Sequence, residues 1–466
     1  MSDRNNLPLP SLEDCLRAAS ETEELRLKPD VLEELPAVIR TYYPCTGVCI
    51  IADENTYGAV GEKIGAILSA GGIPLSPPLI FPGEPRLHAE YPHVAGITGH
   101  IRALPAQETV LPLSAGAGTI NDLVKRAAFE LQRPYLCIPT AASVDGYTSY
   151  GAALLLDGFK QTLPCAAPKV LAADPDILAG APAYLSSSGF GDLAGKLIAG
   201  TDWIIADMAG PLGAPGTEPI DDRAWAMTQT GLRDSLDRSA GAVQKDRDAV
   251  RALFEALAIT GFAMQYLRSS RPVSGCEHLF SHIWEMEDLS VDGVPVTHGH
   301  KVALGTLAAS AFTELLFASP EPPFPPGRNY RRPGPGEREA EVRSSFRGLA
   351  FKGPGPEEAA VKTALEKLLD EKSAGTLTDA LRDTWRDIRS QVLERLLPYG
   401  ELKALMEKGG CPVLPQTINL SRSQTIAAAR RAQMIRNRYT VLDLAWDLGV
   451  FEEILGRLED SEIYLR

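Results

Sequence analysis

The sequence predicts an α/β nucleotide-binding domain followed by an all-helical domain, and three observations carry that expectation. Short apolar runs of strand type alternate with amphipathic segments of helical period over residues 1–185. Beyond about Tyr184 strand candidates almost vanish and helical periodicity takes over through 186–466. The length of 466 residues suits two or three domains. A functional cleft between the two parts is expected, because ligand sites favour domain interfaces.

The elements follow in order. Val48-Cys49-Ile50-Ile51-Ala52 is a β-rich run ending at Asp53, and 58–70 reads as a helix with Val60, Ile64, Ile67 and Leu68 on one side. A strand is expected over 73–81, weakened by its prolines. Val110-Leu111-Pro112-Leu113 leads into Gly116-Ala117-Gly118, and 120–131 reads as the next helix. Residues 135–139 and 170–172 supply further buried-type strands, so the sheet should be parallel. Helices are then expected over 193–205, 224–238, 246–267, 276–286, 301–317, 357–369, 377–398, 421–439 and 441–457. Residues 319–336 interrupt them with seven prolines and three glycines among 18 residues. Such a run cannot continue a helix. It reads as a surface loop, with a basic lid carrying Arg328, Arg331 and Arg332 as the second choice.

Composition narrows the function. Hydrophobic residues make 44% and charged residues 23% of the chain, as in an ordinary globular protein. The formal charge of −14 repels nucleic acid and anionic membrane, so neither is an expected partner. Seven scattered cysteines give no disulfide framework and suit a reducing compartment. No signal peptide and no apolar run of about 20 residues is read, so a cytoplasmic protein without membrane insertion is expected.

Six places along the chain hold the chemistry. Gly116-Ala117-Gly118-Thr119-Ile120 follows a strand and opens a helix, which suits either a pyrophosphate or an ordinary tight turn. Asp53, at a strand end, suits either a ribose diol or a turn. The loop Thr140-Ala141-Ala142-Ser143-Val144-Asp145-Gly146-Tyr147-Thr148-Ser149 gathers hydroxyls and a carboxylate at the carboxyl edge of the sheet, where it binds a ligand or caps a helix. Asp192 is expected at a helix start, His278 and His282 at i and i+4 on one helical face, and His298 and His300 just before another helix. Asp192, His278 and His298 would make a three-ligand metal site with open positions; an N-cap and core or solvated histidines are the alternatives.

Taken together, Gly-Ala-Gly-Thr-Ile-Asn-Asp, Pro-Thr-Ala-Ala-Ser-Val-Asp-Gly-Tyr-Thr-Ser, Ser-Gly-Phe-Gly-Asp-Leu-Ala-Gly-Lys, Ser-Gly-Cys-Glu-His-Leu-Phe-Ser-His and His-Gly-His-Lys-Val resemble the sn-glycerol-1-phosphate dehydrogenase family. That family lies within the iron-containing alcohol dehydrogenase and dehydroquinate synthase-like superfamily. Arg438-Tyr439-Thr440-Val441-Leu442-Asp443-Leu444 also resembles its C-terminus.

The resemblance implies an NAD-linked dehydrogenase, with NADP as the second cofactor, that reduces dihydroxyacetone phosphate reversibly to sn-glycerol 1-phosphate. It implies one divalent metal, zinc first and nickel or iron as alternatives, and a homodimer. Gly116, Ala117, Gly118, Thr119 and Ile120 would cradle the pyrophosphate, and Asp53 would meet the adenosine ribose. Thr140, Ala141, Ala142, Ser143 and Ser149 would contact the nicotinamide half. Asp145 would hold substrate hydroxyls, and Asp192, His278 and His298 would bind the metal, with Asp192 also touching substrate. His282 would face the substrate as an acid–base relay, since an imidazole titrates near neutral pH. Lys160 is a weaker carry-over to the same region, and His300 stands where an acidic residue often follows His-Gly. Another polyol dehydrogenase or a dehydroquinate synthase-like enzyme is the alternative activity. A catalytically silent nucleotide-binding protein is the alternative of another class.

Overall fold

The computed structural model describes residues 4, 7–45, 47–105, 109–323, 332–349, 355–461 and 464. In chain order its first strands are β1 (Glu24–Leu27), β2 (Gly47–Asp53), β3 (Leu79–Phe81), β4 (Val110–Gly116), β5 (Leu136–Pro139), β6 (Ala152–Leu156), β7 (Phe159–Leu163) and β8 (Val170–Ala173). Six of them form one parallel sheet in the order β1-β8-β5-β4-β2-β3.

Strand alternation feeds two cores. Val48, Ile50 and Ala52 pack with Ile64 and Leu68 of the Glu62–Ala70 helix on one face. Cys49 and Ile51 pack with Val94, Ile97 and Ile101 of the Tyr91–Arg102 helix and with Leu123 and Val124 of the Gly118–Glu130 helix on the other. Because helices cover both faces, the central strands are buried throughout, as a parallel sheet requires. From the middle of the sheet the chain winds outward in both directions, β2 to β3 one way and β4 to β5 the other. The switch point therefore falls between β2 and β4, where open α/β sheets bind ligands beyond their carboxyl ends. Asp53 and Gly116 end those two strands.

Several elements differ from the sequence reading. The strand over 73–81 contracts to Leu79–Phe81, because Pro74, Pro77 and Pro78 remove ladder donors ahead of it. β6 and β7 form an antiparallel hairpin turned on Asp157 and Gly158, both at positive φ, an Asp-Gly signal the periodicity reading passed over. The helix over 224–238 splits into Asp222–Gln229 and Leu232–Ser239 at Gly231, which takes φ 69°. That over 377–398 splits into Glu371–Asp383 and Trp385–Arg395, and that over 421–439 stops at Ala432. Among the described residues, a two-residue strand pair, Ser290–Val291 with Val294–Pro295, interrupts the helical texture. Of the Pro-rich stretch, residues 324–331 lie outside the described residues, Arg328 and Arg331 among them. Arg332 is no free lid cation, since it pairs with Asp447 at 2.8 Å and lies over the Trp446 ring.

The largest correction concerns the Ala183–Ala209 helix, expected only from 193. Asp192 therefore sits in the middle of a 27-residue helix and caps nothing. The run Ser186-Ser187-Ser188-Gly189 has weak helix propensity, but tertiary burial overrides it. The same burial explains the glycines. A Cβ on Gly189 would collide with the carbonyl oxygen of Ala142, and one on Gly191 with the carbonyl oxygen of Gly299. The helix thus lies directly on the 140–149 loop and on the first turn of the His298–Leu316 helix.

Lys125 fixes that loop from below. Its fully buried ammonium donates to the carbonyls of Gly146 (2.6 Å), Gly151 (3.0 Å) and Ser149 (3.1 Å), and to the Ser149 hydroxyl (3.2 Å). All seven cysteines are free thiols, and no helix among the described residues is long and apolar enough to cross a membrane.

Gly189→Ala should lower stability by about 2–3 kcal/mol, the usual scale for overpacking against an immovable backbone. Gly180→Ala, where a Cβ meets nothing, should stay within about 1 kcal/mol of the parent. Chemical denaturation of the two variants checks this, and equal midpoints would contradict the close approach.

Candidate active site

The expected nucleotide-binding residues gather at the carboxyl ends of β2, β4 and β5. Ala117 is the N-cap of the 13-residue Gly118–Glu130 helix and offers no side-chain cap, so the N–H groups of its first turn are left for an incoming anion. Gly116 accepts from Thr140 N–H at 3.2 Å, which ties this turn to the following loop. Gly118 lies against Val144, and a Cβ there would strike that side chain. Thr119 and Ile120 complete the first turn. Asp53 closes a capping box with Thr56, accepting its N–H at 2.8 Å, and remains partly exposed.

Within the loop, Ala141 and Ala142 are fully buried. The Tyr147 hydroxyl holds the Ala141 carbonyl at 2.8 Å and the Ser143 hydroxyl at 3.2 Å. Ser149 turns inward, its hydroxyl spent on Gly146 and Lys125, so the structure gives it a loop-bracing bond and no open face.

In the helical half, Asp192, His278 and His298 bring one ligand atom each to within 4.8 Å of one another. His278 comes from the Cys276–Met286 helix and His298 opens the His298–Leu316 helix, both packed on the Ala183–Ala209 helix. Each imidazole is oriented by a carboxylate. His278 Nδ1 donates to Glu277 at 2.7 Å, and His298 Nδ1 donates to Glu285 at 2.6 Å. That leaves Nε2 of each ring for the centre, the arrangement that fixes tautomer and direction in histidine metal sites. The donor set, two imidazoles and a buried carboxylate, fits one divalent cation with positions open. His282 lies one turn on from His278, 6.5 Å from both other rings, outside this convergence.

Charge is balanced locally. The fully buried Lys196 bridges Asp192 (2.6 Å) and Asp145 (2.8 Å), while the Asp145 N–H donates to the other Asp192 oxygen at 2.9 Å. Burial opposes ionisation of Asp192, but Lys196 and the histidines hold its carboxyl far below the ordinary range. Burial likewise opposes protonation of His278; its bonds to Asp192 and Glu277 overcome it and lift the imidazole to about 9. Glu285, buried between Lys160 (3.2 Å), Lys301 (3.8 Å) and His298, is held well below the usual carboxyl value by those cations. Burial draws Lys301 down to about 8.

One expectation, that of His282, is corrected. His282 does not titrate near neutrality, because burial and then the charge of Arg436 push it well below its ordinary value. His300 gives the metal ligands no support; its Nε2 meets the Ser187 hydroxyl at 3.0 Å, and Glu285 supplies the carboxylate for His298. Lys160 reaches the region through Glu285 while donating to the Ala153 carbonyl at 2.9 Å. The sequence reading missed Lys196, Glu277 and Glu285. Lys196 stands at i+4 from Asp192, and Glu285 at two turns from His278, so helical spacing from the expected ligands carries the signal.

The chain is similar to known proteins in sequence and in fold. The family described as iron-containing alcohol dehydrogenase matches residues 26–182. A glycerol-1-phosphate dehydrogenase [NAD(P)+] of Halalkalibacterium halodurans is 35% identical over 292 residues, 62% of this chain and 70% of that protein. The Bacillus velezensis protein of the same name is 36% identical over 302 residues, 64% of this chain and 72% of that protein. That of Geobacillus thermodenitrificans extends the match to 90% of this chain and 91% of its own length at 26% identity. In fold, the chain is similar to glycerol dehydrogenase from Schizosaccharomyces pombe, with TM-score 0.54 and 14% identity over 94% of this chain and 92% of that one. It is also similar to an iron-containing alcohol dehydrogenase from Thermotoga maritima, with TM-score 0.55 and 11% identity over 94% and 99%. The matched family model, and relatives 35–36% identical over 70–72% of their own length, carry the assignment: the chain belongs to the glycerol-1-phosphate dehydrogenase family of the iron-containing alcohol dehydrogenases.

Proposed function

We propose that this chain reduces dihydroxyacetone phosphate reversibly to sn-glycerol 1-phosphate with NAD(P)H, residues 1–185 holding the nucleotide and 186–466 the metal. The observation that carries this is the convergence of Asp192, His278 and His298, each imidazole clamped by its own carboxylate, across from an uncapped helix N-terminus at the sheet's switch point. When bound, a divalent metal supplies Lewis-acid polarisation of the ketone and nicotinamide supplies the hydride. Zinc is the first candidate for a carboxylate-and-two-imidazole set.

The chain's own residues supply position and charge. The first turn of the Gly118–Glu130 helix would take the pyrophosphate, with Gly116 and Ala117 letting it approach. Thr140 and Ser143, held through Gly116 and Tyr147, would border the nicotinamide half. Asp53 would accept the ribose hydroxyls and repel a 2′-phosphate, favouring NAD over NADP. Asp145, anchored by Lys196, would receive substrate hydroxyls beside Asp192. His282, neutral at working pH, would hydrogen-bond the substrate and pass on a proton without storing one.

Oxidation of NADH with dihydroxyacetone phosphate, dihydroxyacetone and glyceraldehyde 3-phosphate tests the reading. The expected result is turnover with the first far above the others, faster with NADH than with NADPH. No turnover with any phosphorylated ketone would overturn it.

His278→Ala should abolish metal retention and nearly all activity while NAD+ binding stays measurable. His282→Ala should keep its metal and lose about 10²- to 10⁴-fold in turnover or substrate affinity. Metal content by plasma mass spectrometry separates them. Equal metal loss in both variants would make His282 a fourth ligand.

A further inference from the structure

A phosphorylated ketone brings an anion that the lysines around the metal cluster are poorly free to meet. Lys196 is committed to Asp145 and Asp192, Lys125 to backbone carbonyls, and Lys160 and Lys301 both face Glu285. Among the described residues, one cation beside the site is uncommitted.

Residues 431–438 run along the Cys276–Met286 helix in the opposite direction. Arg431 pairs at 2.6 Å with Glu287, just past that helix's C-terminus, and Arg438 donates at 2.7 Å to the Ser274 carbonyl, just before its N-terminus. Arg436 lies between these two anchors, beside the helix that bears His278 and His282. Its charge is felt at His282 more strongly than that of any other neighbour.

Five arginines occur between 422 and 438, and four of them are engaged. Arg422 donates to the carbonyls of Leu458 and Tyr464, Arg430 pairs with Glu452, Arg431 with Glu287, and Arg438 also donates to the Ser270 hydroxyl. Arg436 is half-buried and makes no hydrogen bond or ion pair among the described residues. Keeping a guanidinium partly desolvated without a counter-ion is costly, and an arriving anion would relieve that cost. Its planar fork matches phosphate oxygens in pairs, which makes arginine the residue suited to such an anion.

We propose that Arg436 binds the phosphoryl group of the substrate, with His282 alongside, and so selects phosphorylated over unphosphorylated ketones. This rests on the phosphorylated-ketone reading above. The chain needs such a device because its overall charge of −14 disfavours anionic substrates everywhere else.

The test compares the metal-loaded wild type with Arg436→Met and Arg436→Lys, metal content measured in each. Arg436→Met should raise KM for dihydroxyacetone phosphate about 10- to 100-fold, the scale of one lost charge-assisted contact, and lower the preference over dihydroxyacetone by a similar factor. Arg436→Lys should recover part of that preference, since it keeps the charge without the fork. Stabilisation of the wild type by inorganic phosphate in a thermal melt should vanish in Arg436→Met. Equal losses on both ketones, or an unchanged preference, would overturn the assignment. If the wild type leaves dihydroxyacetone phosphate unreduced, the functional reading falls, and the phosphate melts alone decide the subsite. Equal stabilisation of wild type and Arg436→Met, or none in either, would then refute it.

Discussion

The site depends on three chain segments lying closer together than any side chain would allow. Gly189 sets the long central helix against the Ala142 carbonyl, and Gly191 sets it against the carbonyl of Gly299. That contact brings the loop from the sheet, the helix bearing Asp192 and the turn bearing His298 to one point. It also buries charge, which is affordable because the carboxylates at its centre each face a cation. Asp192 and Asp145 share Lys196, and Glu285 draws on Lys160, Lys301 and His298. Removing one member of such a network strands the others without solvent, so its parts stand or fall together.

The same pairing sorts the site's groups by what they can still do. Lysines bound to carboxylates hold geometry and have little charge left for a ligand. The two imidazoles whose Nδ1 is clamped by Glu277 and Glu285 offer only Nε2, which preorganises them for a cation. His282 lacks such a clamp, and burial beside Arg436 keeps it neutral. The reacting end of a substrate would thus meet a region of fixed charge and fixed direction, while its distal end would meet the uncommitted guanidinium.

Much of this was legible in the sequence, and the reason is local. The strand–glycine–helix turn at 116–120, the i and i+4 spacing of His278 and His282, and the switch from strand alternation to helical period all lie within short windows. What was not legible depends on distant contacts. Asp192 looked like a helix start because Ser186-Ser187-Ser188-Gly189 is a poor helix by propensity, and only packing against the sheet's loop makes it one. The bond that Lys125 donates to the Ser149 hydroxyl, from 24 residues earlier, likewise has no local signal. Nothing in the sequence around His282 marks the burial that pushes its titration down, nor the added charge of Arg436, which comes from the far end of the helical half. Glu285 could be placed on the face of His278 by spacing, yet its bond to His298 crosses between helices.

X-ray absorption at the metal edge of the purified, zinc-loaded protein tests the three-ligand centre most directly. Two imidazole nitrogens, one carboxylate and at least one oxygen donor from water are expected, with Zn–N distances near the usual ~2.0–2.1 Å. A third imidazole would bring His282 into the shell, and a sulfur donor would move the metal to Cys276 beside Asp202 and Glu277. Either result would contradict a site built on Asp192, His278 and His298.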